Sequence, residues 1–163
     1  MKVLLHLADG FEEIEALSTL DILRRADIDT TTVSIMGRIE VKSSRGVIIQ
    51  ADKVFSDINY QEFDMIILPG GPGTTLLDQH EELKSHLKNY DAEGKWIAAL
   101  CAAPSVLGKL NLLNGKNAVC YPGYENDLLG AKVSLNEKVV VDGNIITSRG
   151  PGTSFDFAFK IVE

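Results

Sequence analysis

Several features are scarce in this sequence of 163 residues, and each absence excludes a class of protein. No apolar run approaches the roughly 18 residues that a membrane-spanning helix needs, and the amino-terminal run meets Asp9, so we read it as a strand rather than a signal peptide. The two cysteines, Cys101 and Cys120, are too few for a disulfide framework and lack metal-binding spacing. We therefore expect free thiols, a cytoplasmic location and no membrane partner.

Positive charge is also in short supply. Sixteen Lys and Arg residues against 23 Asp and Glu residues give a net charge of −7, with the acids dispersed along the chain. This balance disfavours nucleic acid as a partner. The remaining composition, 45% hydrophobic and 24% charged without repeats or linkers, predicts a single compact domain over residues 1–163.

Strand and helix patterns alternate along the chain. Short apolar runs typical of strands buried on both faces are followed by amphipathic helical patterns. The predicted strands are 2–8, 31–36, 65–68 and 96–100, and the predicted helices are 14–25, 76–90, 104–110 and 154–161, with Ser154 as the cap of the last. Residues 39–43 with 47–51, and 139–141 with 145–148, predict small β-hairpins. The alternation predicts an α/β fold, a mostly parallel sheet with helices on both faces.

Three segments follow predicted strands directly: Asp9–Glu15, Pro69–Gly73 and Cys101–Pro104. The carboxyl ends of parallel strands meet at one edge of a sheet, so these segments are expected to converge there. The glycine loop lacks the Lys-Ser/Thr ending of a phosphate-binding loop and the spacing of a dinucleotide fingerprint. We expect neither a nucleotide cofactor nor a metal, because His80 and His86 have no neighbouring ligand pattern and His6 lies within a strand.

Cys101 has the surroundings of a nucleophile elbow. It ends a buried strand and is followed by the small residues Ala102 and Ala103 and then Pro104, which suits the first turn of a helix. Backbone N–H groups at the helix start would lower the pKa of this thiol and hold an oxyanion. The alternative is a buried structural cysteine, which on position alone is about as well supported.

Three acids, Glu12, Glu13 and Glu15, lie in the first turns of the first predicted helix. Carboxylates are favoured there by the helix dipole alone. Glu15 lies among the apolar positions, so it is also a candidate to turn inward, where burial would raise its pKa and let it donate a hydrogen bond to a thiolate. Both interpretations remain open from the residues alone.

Four segments together resemble the DJ-1/ThiJ/PfpI superfamily, and most closely its DJ-1 branch. They are Ala8–Glu15, Leu68–Gly71, Ala98–Pro104 and Thr147–Ser154, spread in order over nearly the whole chain. The resemblance implies a flavodoxin-like three-layer α/β/α sandwich with a small β-hairpin, a homodimer and no cofactor.

The resemblance also implies roles by position. Cys101 resembles the oxidation-sensitive nucleophile, Glu15 the protonated acid beside it, and the N–H groups of Gly71 and Ala102 those that hold a sulfinate or oxyanion. Arg45 resembles an arginine that a partner subunit offers near the site, and Arg25 and Arg149 resemble arginines near the dimer contact.

The sequence departs from the superfamily at two pocket positions. Ala102 stands where peptidase-like relatives have a histidine after the nucleophile, so peptidase activity is not expected. Tyr121 stands before Pro122 where DJ-1 relatives carry a pocket histidine. The last predicted helix reaches Ile161 and the sequence ends at Glu163, so we expect a C-terminal extension of the family to be absent or removed.

Three functions follow from the resemblance. The first is redox sensing or oxidative-stress protection, in which peroxide oxidises Cys101 to a sulfinate. The second is a glyoxalase or deglycase activity on methylglyoxal or its adducts, through thiolate attack on a carbonyl with Glu15 moving the proton. The third is a chaperone dimer without turnover. The expected small-molecule partner is therefore a peroxide or a reactive carbonyl.

Overall fold

A computed structural model describes the whole chain from Met1 to Glu163. The strands are β1 Lys2–Leu7, β2 Asp29–Ser34, β3 Glu40–Lys42, β4 Ile48–Gln50, β5 Lys53–Val54, β6 Met65–Leu68, β7 Trp96–Leu100, β8 Asn117–Ala118, β9 Lys132–Val133, β10 Val139–Asp142 and β11 Ile145–Ser148. The α-helices are α1 Glu13–Arg25, α2 Thr74–Gln79, α3 Glu81–Ala92, α4 Pro104–Lys109 and α5 Ser154–Val162. No helix is both long and apolar enough to cross a membrane.

Seven strands form the central sheet, in the order β10-β11-β7-β6-β1-β2-β5. All neighbours pair in parallel except the antiparallel hairpin β10–β11 at one edge. The predicted mostly parallel sheet is therefore confirmed. The central strand β6 is buried at every position, as expected for a strand covered on both faces.

Two hydrophobic clusters, one on each face of the sheet, make the three layers. One contains Leu77, Leu87 and Val106 from α2, α3 and α4. The other contains Leu23 of α1 and Phe157 of α5. The α/β/α sandwich is confirmed, because side chains of one strand alternate between the two clusters and helices cover both.

The predicted elements differ from the structure in three ways. The helix predicted over 76–90 is two helices, because His80 has an extended backbone and its Nδ1 accepts a hydrogen bond from the N–H of Leu83, which caps α3. Ser154 is wrong as a cap: it is the first residue of α5, and its buried hydroxyl has no partner. The two-residue strands β5, β8 and β9 were not predicted, because so short a segment has no readable periodicity.

The hairpin β3–β4 packs against the start of α1. Glu13 makes this contact: its carboxylate accepts hydrogen bonds from the Ser43 hydroxyl at 2.6 Å, the Ser44 hydroxyl at 3.0 Å and the backbone N–H of Arg45 at 2.6 Å. These bonds lower the pKa of Glu13 against the opposing effect of its partial burial. Of the three acids, Glu13 therefore holds the hairpin and does not face the thiol.

Candidate active site

The three loops predicted to converge meet around Gly70. Its N–H donates to Oε2 of Glu15 at 2.7 Å, and its carbonyl accepts from the N–H of Glu12 at 3.0 Å. A Cβ atom at this position would lie 2.6 Å from Cβ of Cys101 and 2.8 Å from Oε2 of Glu15. Only glycine allows the acid and the cysteine to approach each other across this backbone.

The backbone of Cys101 has the conformation of a tight strand-to-helix turn. Its φ angle is 64°, in the left-handed region that costs a residue with a side chain about 1–3 kcal/mol. Two hydrogen bonds hold it there: its N–H donates to the Ser148 carbonyl at 2.9 Å, and its carbonyl accepts from the N–H of Tyr121 at 2.8 Å. The surrounding sheet and loop thus impose the strained turn that the sequence predicted.

The thiol of Cys101 lies in a nearly closed site. The residue is 7% exposed, and the N–H groups of Ala102 and Gly71 donate toward the sulfur. Burial and the charge of an ionised Glu15 nevertheless raise the pKa of this thiol above its ordinary value, and the two donors oppose that rise only in part. The predicted lowering of the thiol pKa is therefore wrong, because burial, the largest cause, raises it.

Glu15 turns inward, which is one of its two sequence interpretations. It is fully buried in the first turn of α1, and burial raises the pKa of its carboxyl to about 7 against the lowering effects of Cys101 and Gly70. Oε1 has no partner with full hydrogen-bond geometry, and the thiol is the side chain close enough to interact with the carboxyl. An unpaired buried carboxylate oxygen is costly, so the site favours a proton on Glu15.

The acid and the thiol titrate together. A second negative charge in the same buried site is strongly disfavoured, so near neutral pH the pair carries at most one charge and keeps at least one proton. Hydrogen bonds from Gly71 and Ala102 favour the thiolate, and the unpaired Oε1 favours the carboxylic acid. The remaining proton can therefore pass from sulfur to carboxyl, which leaves a thiolate beside a proton donor.

Comparison with known proteins identifies the family. The model of the DJ-1/PfpI family matches residues 1–163. This chain belongs to the DJ-1/PfpI family. The solved structure of oxidized Toxoplasma gondii DJ-1 is 39% identical, with a TM-score of 0.94 over 99% of this chain and 89% of that chain. The resemblance found in the sequence and its flavodoxin-like fold are both confirmed.

Two curated relatives in the family differ in length. DJ-1 homolog B of Arabidopsis thaliana is 40% identical over 164 residues, which cover 99% of this chain but 37% of that protein. A Pyrococcus abyssi protein named a deglycase is 30% identical over 164 residues, which cover 100% of this chain and 98% of that protein. The chain therefore spans well under half of the Arabidopsis relative and almost all of the archaeal one.

The structure places Tyr121 beside Cys101, whereas the guanidinium of Arg149 donates to the Leu135 carbonyl. Tyr121 and Arg149 line a cleft of about 200 Å³ together with Gly150. A Cβ atom on Gly150 would lie 3.0 Å from the Tyr121 ring and 3.8 Å from Sγ of Cys101, so the missing side chain leaves a gap between ring and sulfur. Tyr121, 46% exposed, forms the outer wall of that gap.

The structure does not bring Arg45 or Arg25 to the thiol within one chain. Arg45 is exposed at the tip of the β3–β4 hairpin, where its N–H is bound by Glu13. Arg25 lies ten residues after Glu15, roughly 15 Å along α1, and pairs with Asp21 at 2.7 Å. Their roles at a dimer contact stay predictions.

The histidines occupy a separate aromatic cluster. His6 is fully buried and its Nε2 shares a hydrogen bond of 2.7 Å with the Tyr60 hydroxyl. The Tyr60 ring stacks on His86 with centroids 3.6 Å apart, and His80 packs on Phe55 at 4.3 Å. His80 and His86 therefore face an aromatic cluster, although the sequence indicated only a polar helix.

Sequence reasoning missed Gly70, Glu12 and Gly150 as parts of the site. Gly70 lies in the recognised Leu-Pro-Gly-Gly segment, but nothing in the letters says which glycine contacts the acid. Glu12 caps α1 by accepting a hydrogen bond from the N–H of Glu15 at 2.8 Å, and its charge helps to raise the pKa of that residue. An acid three residues before Glu15 was the available signal.

Proposed function

We propose that this chain is a DJ-1-like enzyme that converts small 2-oxoaldehydes into hydroxy acids at Cys101. The observation that carries the proposal is the fully buried Glu15, whose pKa of about 7 lets it give and take a proton near neutral pH. The name of the archaeal deglycase supports the same class of carbonyl chemistry.

The reaction begins when the proton of Cys101 passes to Glu15 and the sulfur attacks the aldehyde carbon. A C–S bond forms, the C=O π electrons move to oxygen, and the N–H groups of Gly71 and Ala102 stabilise that oxyanion until Glu15 protonates it. The product of this step is a hemithioacetal.

Glu15 then accepts the proton from the former aldehyde carbon, which gives an enediol, and returns it to the neighbouring carbon, while the hydroxyl proton on the first carbon passes to the oxygen of the second. This transfer oxidises the first carbon to a thioester and reduces the second to an alcohol, so no external oxidant is needed. One water molecule hydrolyses the thioester and restores the thiol. With methylglyoxal, one water is consumed and one lactate is released.

Removing the sulfur should abolish this reaction. We expect kcat/KM for lactate formation from methylglyoxal to fall at least about 1000-fold in Cys101→Ser and about 100-fold in Glu15→Gln, which keeps the shape but cannot move a proton. Cys120→Ser is the matched control, since Cys120 is also buried and free. Equal lactate production by wild type and Cys101→Ser would overturn the proposal.

Oxidation by peroxide is a second candidate function. The N–H groups of Gly71 and Ala102, directed at the sulfur of Cys101, could hold the oxygens of a sulfinate, and a solved relative is described as oxidized. One peroxide converts the thiolate to sulfenate and water, and a second gives the sulfinate. Both routes need the thiolate, which burial opposes, but the carbonyl route also uses Glu15 to give protons to and take them from the substrate, so we rank oxidation second.

Mild peroxide should oxidise Cys101 before Cys120. Burial raises the pKa of both thiols, so the difference rests on the donors: the N–H groups of Gly71 and Ala102 face the sulfur of Cys101, whereas the N–H of Tyr124 alone faces that of Cys120. We expect peptide mass spectrometry to find two added oxygens at Cys101 while Cys120 is unmodified, and Glu15→Gln to slow the reaction. Oxidation of both cysteines at the same rate would contradict this function.

We also propose a homodimer in the cytoplasm. Apolar side chains on α1 and the adjacent hairpin are exposed, Ile14 at 51%, Val47 at 47% and Ile48 at 63%, and both cysteines are free. Sedimentation equilibrium should give twice the chain mass. A monomer mass at micromolar concentration would contradict the dimer.

A further inference from the structure

A polar cleft of about 140 Å³ opens beside the reactive cysteine, between α2 and α4. Gly71 belongs to both places: its N–H points toward the sulfur of Cys101, and the residue also lines the cleft. A molecule bonded to that sulfur with its oxygen near Gly71 can therefore extend into the cleft. The carbonyl step does not use this space.

The lining of the cleft is suited to groups that both donate and accept hydrogen bonds. Only one of its eight residues is hydrophobic, which disfavours alkyl or aromatic groups. Thr74 is 7% exposed, and its hydroxyl is buried without a hydrogen-bond partner in the chain. An unsatisfied buried hydroxyl is costly, so a ligand hydroxyl that bonded to it would be stabilised.

Charge in the cleft is balanced. Asp78 and Lys109 lie on opposite sides, with Oδ2 and Nζ 3.1 Å apart, and the ion pair raises the pKa of Lys109. The pair is neutral overall, so it favours neither a cationic nor an anionic ligand. An uncharged hydroxyl can donate to the carboxylate and accept from the ammonium, so polyol chains fit this pair best.

We propose that this cleft selects carbonyl substrates that carry a hydroxylated chain. Sugar-derived aldehydes and sugar-derived 2-oxoaldehydes should therefore bind more tightly than alkyl or aryl ones. Thr74 and Asp78 are the specificity-determining residues, and neither contacts the reacting carbon. The proposal rests on the carbonyl function proposed above, but the binding preference can be measured without turnover.

Reversible capture of the thiol separates the two proposals. Glyceraldehyde and propanal have the same three-carbon skeleton and differ in two hydroxyl groups, and each protects Cys101 from iodoacetamide by forming a hemithioacetal. We expect glyceraldehyde to protect wild type at a concentration about tenfold lower, the effect of one good hydrogen bond. Thr74→Val and Asp78→Asn should reduce that ratio to about one.

The matched control is Asp156→Asn, which breaks another surface ion pair, with Lys138, away from the cleft. It should keep the wild-type ratio. Equal protection by the two aldehydes in wild type, or an unchanged ratio in both cleft variants, would overturn the cleft proposal. If wild type failed to form lactate from methylglyoxal, the proposed function would be overturned. The ratio of the two protective concentrations would still test the binding preference of the cleft.

Discussion

Replacing Gly70 with alanine should remove the reactivity of Cys101 almost completely. The new methyl group would lie 2.6 Å from Cβ of Cys101, 2.8 Å from Oε2 of Glu15 and 3.0 Å from the N–H nitrogen of Ala102. None of these is the far end of a flexible surface side chain, so the acid, the nucleophile and the oxyanion donor must all shift. A displacement of about 1 Å costs on the order of 100-fold in rate.

Gly70→Ala should also lose about 1–3 kcal/mol of folding stability, the usual cost of an overpacked core. The measurements are the rate of Cys101 alkylation and the midpoint of urea unfolding. Gly152→Ala is the control, because nothing lies within 4 Å of a Cβ at Gly152. If Gly70→Ala kept the wild-type alkylation rate, the close approach of the three loops would be refuted.

Acid should affect stability through two buried groups that act in opposite directions. Burial, with smaller contributions from His80 and His86, lowers the pKa of His6 from 6.5 to about 3. The unfolded chain therefore binds a proton below pH 6.5 that the folded chain refuses, and acidification favours unfolding. Burial raises the pKa of Glu15 from 4.5 to about 7, so the folded chain keeps a proton that the unfolded chain loses, and acidification favours folding.

The two contributions nearly cancel between pH 7 and pH 5. Linkage gives a loss of about 2 kcal/mol from His6 and a gain of about 2 kcal/mol from Glu15 over that interval. We therefore expect Glu15→Gln to lose about 2 kcal/mol relative to wild type on going from pH 7 to pH 5, and His6→Gln to gain about 2 kcal/mol relative to wild type.

Urea unfolding of the three proteins at both pH values makes the test, and comparison with wild type cancels the other titrating groups. Glutamine is neutral at both pH values, and at position 15 it approximates the shape of glutamate. At position 6 a glutamine side chain can still form a hydrogen bond with the Tyr60 hydroxyl. Parallel pH profiles for His6→Gln and wild type would mean that His6 titrates normally in the folded chain.

Hydrophobic periodicity was sufficient to predict most of the sheet. Strands β6 and β7 were predicted at their observed bounds because continuous apolar runs ended by Pro-Gly or Cys-Ala leave little ambiguity. Convergence of three loops at the carboxyl edge followed from parallel pairing alone. The break at His80 was not readable, because it depends on a side chain that caps the next helix.

The candidate site was predictable in its residues and less so in its energetics. Local pattern and resemblance identify Cys101 and Glu15. The size and direction of the shift in the thiol pKa depend on burial and on how closely the charge of Glu15 approaches the sulfur. That distance is set by Gly70, which lies 31 positions before the cysteine and 55 after the acid. The clustering of His6 with His80 and His86 likewise depends on tertiary packing, which no local pattern encodes.

The backbone angle at Cys101 has a consequence for how this protein balances durability against reactivity. Glycine would adopt a φ of 64° without the steric cost that any residue with a Cβ meets. Glycine at position 101 would therefore give a more stable folded state than cysteine does. Cys101 adopts a conformation that lowers the stability of the folded chain. A side chain placed at this cost in stability is expected where it has a chemical function.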